Sequence, residues 1–420
     1  MDATALAPLL TPQGWALLDS LPPYDEASAL RLGESLRAQG YSPELVTAAL
    51  TQQRLRARAQ SKFGPFASKM LFTPDGLEQA TRLAVAAHHA QRYLQAGVKK
   101  VADLGCGIGG ESVAFAGLDL PVLAVERDEA TAALATVNLM PFPHAQAICA
   151  DALTVDLAAA GVDAVFADPA RRQGGKRITN PEQWAPPLSQ VLALREQVAA
   201  VGVKVAPGLD HAAIPSDCHA QWVSVGGDVV EAGLWCGPLA LEGPGRSALV
   251  LAGAGQNGQP DTASTHILRD PECTDPAAAP TQAEPIASPA HLGEYLFEPD
   301  GAAIRAGLVA HLGQQAQAQP VSDRIAYLTG SAPLPERLTP FLQAWRIREV
   351  LPLHLKSLKA RARQLGLGRL DIKKRGVEVV PEQLRASLRL PGGANGPTES
   401  WVLTRVGAAR KGLVLVVESA

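Results

Sequence analysis

The stretch from Lys100 to Gly110 constrains the fold more than any other part of this chain. A short apolar run, Val101, Ala102 and Leu104, reads as a buried strand; Asp103 sits near its end, and Gly105, Gly107, Gly109 and Gly110 follow. Glycines belong where the backbone takes positive φ or must come within contact of a ligand. Glu111 to Ala116 continues with helical character. A strand, a tight glycine loop and a helix N-terminus together form the geometry that receives a nucleotide-like ligand.

Two ligand classes use that geometry. Gly105, Gly107 and Gly110 fit the spacing of a dinucleotide fingerprint, and Glu126 closes the next apolar run, Val122 to Val125, at about the right distance. Asp103 argues for the other class: an acid directly ahead of the glycines would repel a pyrophosphate but attract a sulfonium or an ammonium. Two more acids extend the series, Asp151 after the run Ala145 to Ala150 and Asp168 after Ala164 to Ala167. Four acids thus end four successive strands, where open α/β sheets bind ligands. The pattern resembles the class I S-adenosylmethionine-dependent methyltransferases. That resemblance implies a Rossmann-like seven-stranded core with S-adenosyl-L-methionine as cofactor. It also implies that the glycine loop holds the methionine part, the second-strand acid the ribose and the third-strand acid the adenine amine. The cofactor-binding set is then Asp103, Gly105, Gly107, Glu126, its neighbour Arg127, and Asp151.

At 420 residues the chain should form two or three domains. A hydrophobic share of 47% with 19% charged residues is globular composition. No apolar run reaches the roughly 20 residues of a membrane helix, and no basic-then-apolar leader opens the chain. The five cysteines, Cys106, Cys149, Cys218, Cys236 and Cys273, form no C-x-x-C pair. They are expected to be reduced thiols of a cytoplasmic protein, without a disulfide frame or a metal site.

Residues 1–68 read as a helical region. Thr11-Pro12 and Ser42-Pro43 each place a capping residue before a proline at the first helical position. Arg54, Arg56, Arg58 and Lys62 line its last helix, either as a solvated face or as a strip for a phosphate backbone. The catalytic domain should span 69–252. Gln79 and Thr81, just ahead of the first strand, are candidates to close over the cofactor. Strands are expected to Leu104, Glu126, Ala150 and Asp168, then at Val201–Val205, Gln221–Val225, Asp228–Trp235 and Ser247–Leu251, the last two as a closing hairpin. Residues 253–290, punctuated by Pro260, Pro271, Pro276, Pro280 and Pro285, read as a linker.

Residues 291–420 alternate strands and helices as a small α+β domain of ferredoxin-like type. Arg346, Arg348, Lys356, Lys359, Arg361, Arg363, Arg369, Lys373, Lys374, Arg375, Arg385 and Arg389 face only Glu349, Asp371, Glu378 and Glu382 there. In a chain of net charge −3, such a local excess is the footprint of a nucleic-acid partner. The chain is similar to a bacterial methyltransferase family with a helical N-terminal part and a C-terminal THUMP-like domain. The resembling stretches are Lys62-Phe63-Gly64, Gly76 to Arg82, Asp168 to Arg172, Leu296 to Asp300, Arg305-Ala306-Gly307 and Asp371 to Gly376. True THUMP domains bind tRNA acceptor stems, which implies an RNA partner, tRNA or rRNA.

Asp168-Pro169-Ala170-Arg171 stands where amino-group methyltransferases carry Asn/Asp-Pro-Pro and an aromatic. The resemblance makes Asp168 and Pro169 catalytic, with the side-chain oxygen accepting an amine hydrogen. Arg171 replaces the aromatic and could stack on a base or grip a phosphate. A cysteine nucleophile for pyrimidine C5 finds no fitting context at Cys218 or Cys236. The expected activity is methylation of a nucleotide nitrogen in structured RNA. The alternatives are a protein or small-molecule methyltransferase, and a non-catalytic cofactor-binding RNA module.

Overall fold

A computed structural model describes residues 3–173, 176–251 and 265–420. Its centre is β1 (Val101–Leu104), flanked in parallel by β2 (Val122–Glu126) and by β4 (Ala164–Ala167). On one side β3 (Ala145–Cys149) extends the sheet beyond β2. After β4 comes a two-residue hairpin, β5 (Arg172–Gln173) and β6 (Lys176–Arg177), outside the main sheet. The sheet continues through β7 (Ala200–Val205), β8 (His219–Val225), β9 (Asp228–Cys236), β10 (Gly245–Leu251) and β11 (Thr265–Arg269). The strand order is β11-β10-β8-β9-β7-β4-β1-β2-β3.

The first seven of these main-sheet strands form the Rossmann-like core. The closing hairpin differs from expectation: it is β8 with β9, and β10 instead joins β8 in parallel. Gly226 and Gly227, both at positive φ, turn the chain in two residues between β8 and β9, which a longer connection into β10 cannot match. Strand β11, at residues expected in a linker, pairs antiparallel with β10. Residues 253–264 of that expected linker lie outside the described residues.

The β8–β9 register sets His219 opposite Trp235 and so brings Cys218 and Cys236 face to face, 4.5 Å apart at Cα. They form a disulfide, which corrects the expectation that all five thiols are reduced. Their 18-residue separation carried no sequence signal because it is the hairpin register, and not a motif, that pairs them.

Successive strand residues face opposite sides of the sheet. Val101, Ala124 and Phe166 point to a layer with Phe63, Tyr93 and Phe115. That layer is built by α1 (Pro12–Ser20), α2 (Ala29–Ala38), α3 (Pro43–Phe63), α4 (Pro74–Gln79), α5 (Leu83–Gln95), α6 (Gly110–Gly117) and α7 (Glu129–Leu139). Ala102, Val125 and Val165 point the other way, onto α8 (Leu188–Ala193) and onto α9 (Gly301–Arg305) and α10 (Val309–Ala316) from the C-terminal part. The N-terminal helices thus cover one face, and the C-terminal part helps cover the other.

A second, seven-stranded sheet runs β13 (Gln319–Ser322), β14 (Ile325–Gly330), β12 (Tyr295–Pro299), β15 (Leu342–Pro352), β18 (Lys411–Ser419), β17 (Thr398–Val406) and β16 (Arg369–Arg375). Phe297 and Leu328 face the catalytic core, while α11 (Leu355–Leu365) and α12 (Pro381–Leu388) pack over Trp401 and Val414. The α+β class stands, and within it β16 and β17 run parallel. Residues 377–380 stay outside the sheet, with Gly376 turning at φ +76° before them and Pro381 opening α12 after them.

Candidate active site

The four strand-end acids gather along one edge of the sheet. Asp103 is buried in β1, where the Ser112 hydroxyl of α6 donates to its Oδ2 at 2.6 Å. Its other oxygen, Oδ1, is buried without a hydrogen-bond partner. Burial pushes the Asp103 carboxyl up to about 7, with Glu111 and Asp168 adding to the rise and Ser112 and Lys204 opposing it.

Gly105 and Gly107 take φ of +81° and +54° and shape the loop. The amide of Gly107 donates to Glu126 Oε2 at 3.1 Å and that of Asp128 to Oε1 at 2.9 Å, so both oxygens of Glu126 are fixed beside the loop. Arg127 is exposed next to it. Asp151 follows β3, exposed, its Oδ1 accepting the Leu153 amide at 2.9 Å. A Cβ on Gly105 would lie 3.4 Å from the Asp168 carbonyl oxygen, so β4's end faces the glycine loop directly.

Asp168 is held from the neighbouring strand. Lys204 of β7 donates from Nζ to Asp168 Oδ2 at 2.7 Å and to Thr81 Oγ1 at 2.9 Å. Burial alone would lower the Lys204 ammonium, but Asp168, Glu231 and Glu111 raise it above its ordinary range. The ammonium therefore stays charged. Arg171 is half-buried, and its Nη1 is buried without a hydrogen-bond partner. The backbone of Ala170 pairs with Ala185 at 2.8 and 3.1 Å, which fixes the chain between Asp168 and Arg171.

Behind these groups lies a network that sequence reasoning missed. His89 of α5 contacts Glu111 Oε2 at 3.1 Å and Glu231 Oε1 at 2.8 Å, all three buried. Burial opposes protonation of His89, but the two carboxylates raise it to about 10. Asp103, Glu111, Glu231 and Asp168 thus outnumber His89 and Lys204 here, a setting that suits a cationic ligand once Asp103 gives up its proton.

The N-terminal helices build the roof. Gln52 of α3 bonds the Phe72 backbone at 2.6 and 2.9 Å, and Asn138 of α7 bonds Leu71 while also donating to the Ile108 carbonyl of the glycine loop. Lys62 Nζ donates to the carbonyls of Leu77, Glu78 and Ala80 at 2.7, 2.7 and 2.9 Å, closing the C-terminus of α4 just before Thr81. Arg56, also buried, donates to the Met70 carbonyl at 2.9 Å. Two of the four residues in the basic strip therefore brace the roof. Lys62→Met should destabilise the protein by about 2 kcal/mol, because three charge-assisted bonds are lost. Denaturant unfolding measures this, and an unchanged midpoint would contradict it.

Half of the counted C-terminal cations are paired. Arg346 meets Glu294, Arg348 meets Glu418, and Arg361 meets Glu349 and Glu399. Arg369 lies by Asp371, and Lys373 and Arg375 share Glu298. Four of these acids, Glu294, Glu298, Glu399 and Glu418, fall outside the acids counted from sequence. Among the described residues Lys356, Lys359 and Arg363, spaced along α11, have no ion-pair partner.

Comparison with known proteins fits this geometry. An uncharacterised S-adenosylmethionine-dependent methyltransferase of Mycobacterium tuberculosis, found in two strains, is 32% identical over 362 residues, 84% of this chain and 91% of the relative. The chain belongs to the S-adenosylmethionine-dependent methyltransferase family. The crystal structure of a candidate methyltransferase from Porphyromonas gingivalis, 18% identical, shares the fold with a TM-score of 0.69 over 95% of this chain and all of that one. A family model described as THUMP domain-like matches residues 342–419, the β15 to β18 unit, and one described as a domain of unknown function matches residues 2–59. Membership of the methyltransferase family gives the acid-rich edge a cationic ligand to receive. Asp103 Oδ1, buried and unpartnered, fits the ammonium of S-adenosylmethionine.

Proposed function

We propose that the chain transfers a methyl group from S-adenosylmethionine to a nitrogen of a nucleotide in structured RNA. The observation that carries this reading is Asp168-Pro169 at the end of β4, its carbonyl against the glycine loop and its Oδ2 held by Lys204. In this assignment Asp103 pairs with the cofactor's ammonium, Glu126 receives the ribose hydroxyls and Asp151 the adenine amine. Gly105 and Gly107 let the backbone approach the methionine part, and Arg127 flanks the ribose site. When bound, the cofactor supplies an electrophilic methyl on its sulfonium.

The residues' own task is positioning. Displacement at the methyl needs the nucleophile in line, with little acid–base help. The Asp168 carboxylate, one oxygen taken by Lys204, accepts a hydrogen of the substrate nitrogen and orients its lone pair. Pro169 shapes the backbone beside it. Arg171 offers its unpartnered donor, or its guanidinium plane, to the base or its phosphate. The THUMP-like match and the unpaired cations of α11 support RNA as the substrate, and with it a cytoplasmic site of action. There the Cys218–Cys236 bridge, fully buried, is shielded from soluble reductants.

Lys204→Met should cost about 3 kcal/mol of stability, since it removes the cation hydrogen-bonded to Asp168 and one positive charge near the buried Glu231. Thermal unfolding tests this, and a wild-type midpoint would count against the ion pair's role. The activity itself is tested by incubating the protein with methyl-labelled S-adenosylmethionine and RNA from a strain lacking it. One labelled nucleoside with its methyl on nitrogen is expected. Label confined to protein or small molecules would overturn the RNA assignment.

A further inference from the structure

The loop after β7, Pro207 to His211, forms one wall of a cleft of about 490 Å³. The opposite wall comes from the C-terminal part: Ile304 and Arg305 of α9, and Arg375 at the end of β16. Two guanidinium groups from one end of the chain therefore reach the rim of the catalytic sheet, and no acidic side chain lines the cleft among the described residues. The nearest carboxylates in sequence, Asp210 and Asp300, accept the backbone amides of Ala212 and Ala302 at 3.1 and 2.7 Å.

The walls are fastened to each other. Buried Arg246 can only donate, so its 2.7 Å contact makes His211 Nδ1 an acceptor. His211 Nε2–H then donates to the Arg305 carbonyl at 2.8 Å. Burial, with the charge of Arg246, lowers the His211 imidazole and keeps it neutral in that role. Arg375 donates to Glu298 Oε1 at 3.4 Å and lies over the Tyr327 ring at 5.3 Å. Arg305 is exposed, has no ion-pair partner among the described residues, and its Nη1 lies 4.0 Å from where a Cβ on Gly208 would stand. One guanidinium braced and one unpaired, over neutral backbone and apolar side chains, make a setting for a phosphate and not for a cation.

The cleft also lies close to the chemistry. Pro207 is three residues beyond Lys204, whose ammonium touches Asp168, so the two Cα atoms are at most roughly 10 Å apart. We propose that this cleft binds a backbone phosphate of the substrate RNA, next to the nucleotide presented to Asp168. The inference rests on the RNA reading above and adds to it the site where the strand is gripped. It accounts for the C-terminal part being packed on the catalytic sheet: the phosphate site needs a wall from each.

The test uses the full chain and a fluorescein-labelled single-stranded RNA 15-mer, titrated across salt concentrations. Arg305→Gln should weaken binding about fivefold at physiological salt and flatten the log–log salt slope by roughly 0.7 to 1. Gly208→Asp has room for its Cβ and should act alike by placing a carboxylate before Arg305. Arg305→Lys should keep most of the slope, and Arg324→Gln, at an 85% exposed side chain elsewhere, should match the unaltered protein. With the RNA substrate, Arg305→Gln should raise KM while kcat and cofactor affinity hold. If both cleft variants bind like the unaltered protein with the same slope, the phosphate site is overturned while the RNA reading stands. If inorganic phosphate binds the cleft yet neither substitution alters RNA binding, the ligand is a free phosphate and the proposal falls. If the unaltered protein shows no salt-dependent RNA binding, the RNA reading itself fails.

Discussion

Asp168→Asn is expected to lower kcat by about 100-fold while cofactor affinity stays within about twofold. Asparagine keeps the shape of the side chain but not its charge, so the substrate nitrogen loses a charge-assisted partner and its alignment. Lys204 keeps Glu231 and Glu111 nearby as counter-charges, and its bond to Thr81 survives, so the variant should fold. Single-turnover kinetics read the chemical step, and calorimetry reads cofactor binding. Turnover at the unaltered rate would remove Asp168 from the chemistry. Wild-type complementation by Asp168→Ala would point instead to a non-catalytic RNA-binding module.

Cofactor affinity should depend on pH through Asp103, falling as pH drops below about 7. In the free protein burial raises this carboxyl from 3.8 to about 7, so between those values the folded chain holds a proton that the unfolded chain has released. Its contribution to stability is therefore fully present below about pH 4 and is lost as pH rises through 7. Ligand binding runs the other way. A cationic ammonium at Asp103 Oδ1 favours the ionised form, so affinity weakens by up to about tenfold per pH unit below 7. Up to one proton should be released on binding near pH 6, measurable by calorimetry in two buffers of different ionisation enthalpy. Asp103→Asn should weaken binding about 100-fold at pH 8 and flatten the pH dependence, because the charge-assisted bond is gone. Proton-neutral binding by the unaltered protein at pH 6 would exclude the pairing.

Much of the candidate site was legible because its signals are local. Asp103, Glu126, Asp151 and Asp168 each follow a short apolar run, and a parallel sheet brings such strand ends to one edge. The roles assigned to them are part of the proposal, and the two experiments above test those of Asp168 and Asp103. Thr81 was legible only as a candidate to close over the cofactor; the two bonds that tie it through Lys204 to Asp168 join three separate parts of the chain. The buried group of His89, Glu111 and Glu231 draws on α5, α6 and β9, and no spacing along the chain connects them. The charge of the C-terminal part was misjudged for a related reason. Counting nearby acids ignores Glu294, Glu298, Glu399 and Glu418, which arrive by strand pairing and by packing.

By itself the sequence determined the class of the core, the glycine loop and the order of its four acids. Each depends on residues within about ten positions of one another, where backbone preference and alternation decide the outcome. Only the tertiary structure decided which strands close the sheet, which cysteines meet, which cations remain unpaired, and that both ends of the chain cover one shared sheet. Apart from the β8–β9 hairpin and the bridge it carries, those outcomes depend mostly on contacts between residues tens of positions or more apart. Their energies come from burial and pairing, and a linear pattern does not encode which partner a buried charge will find.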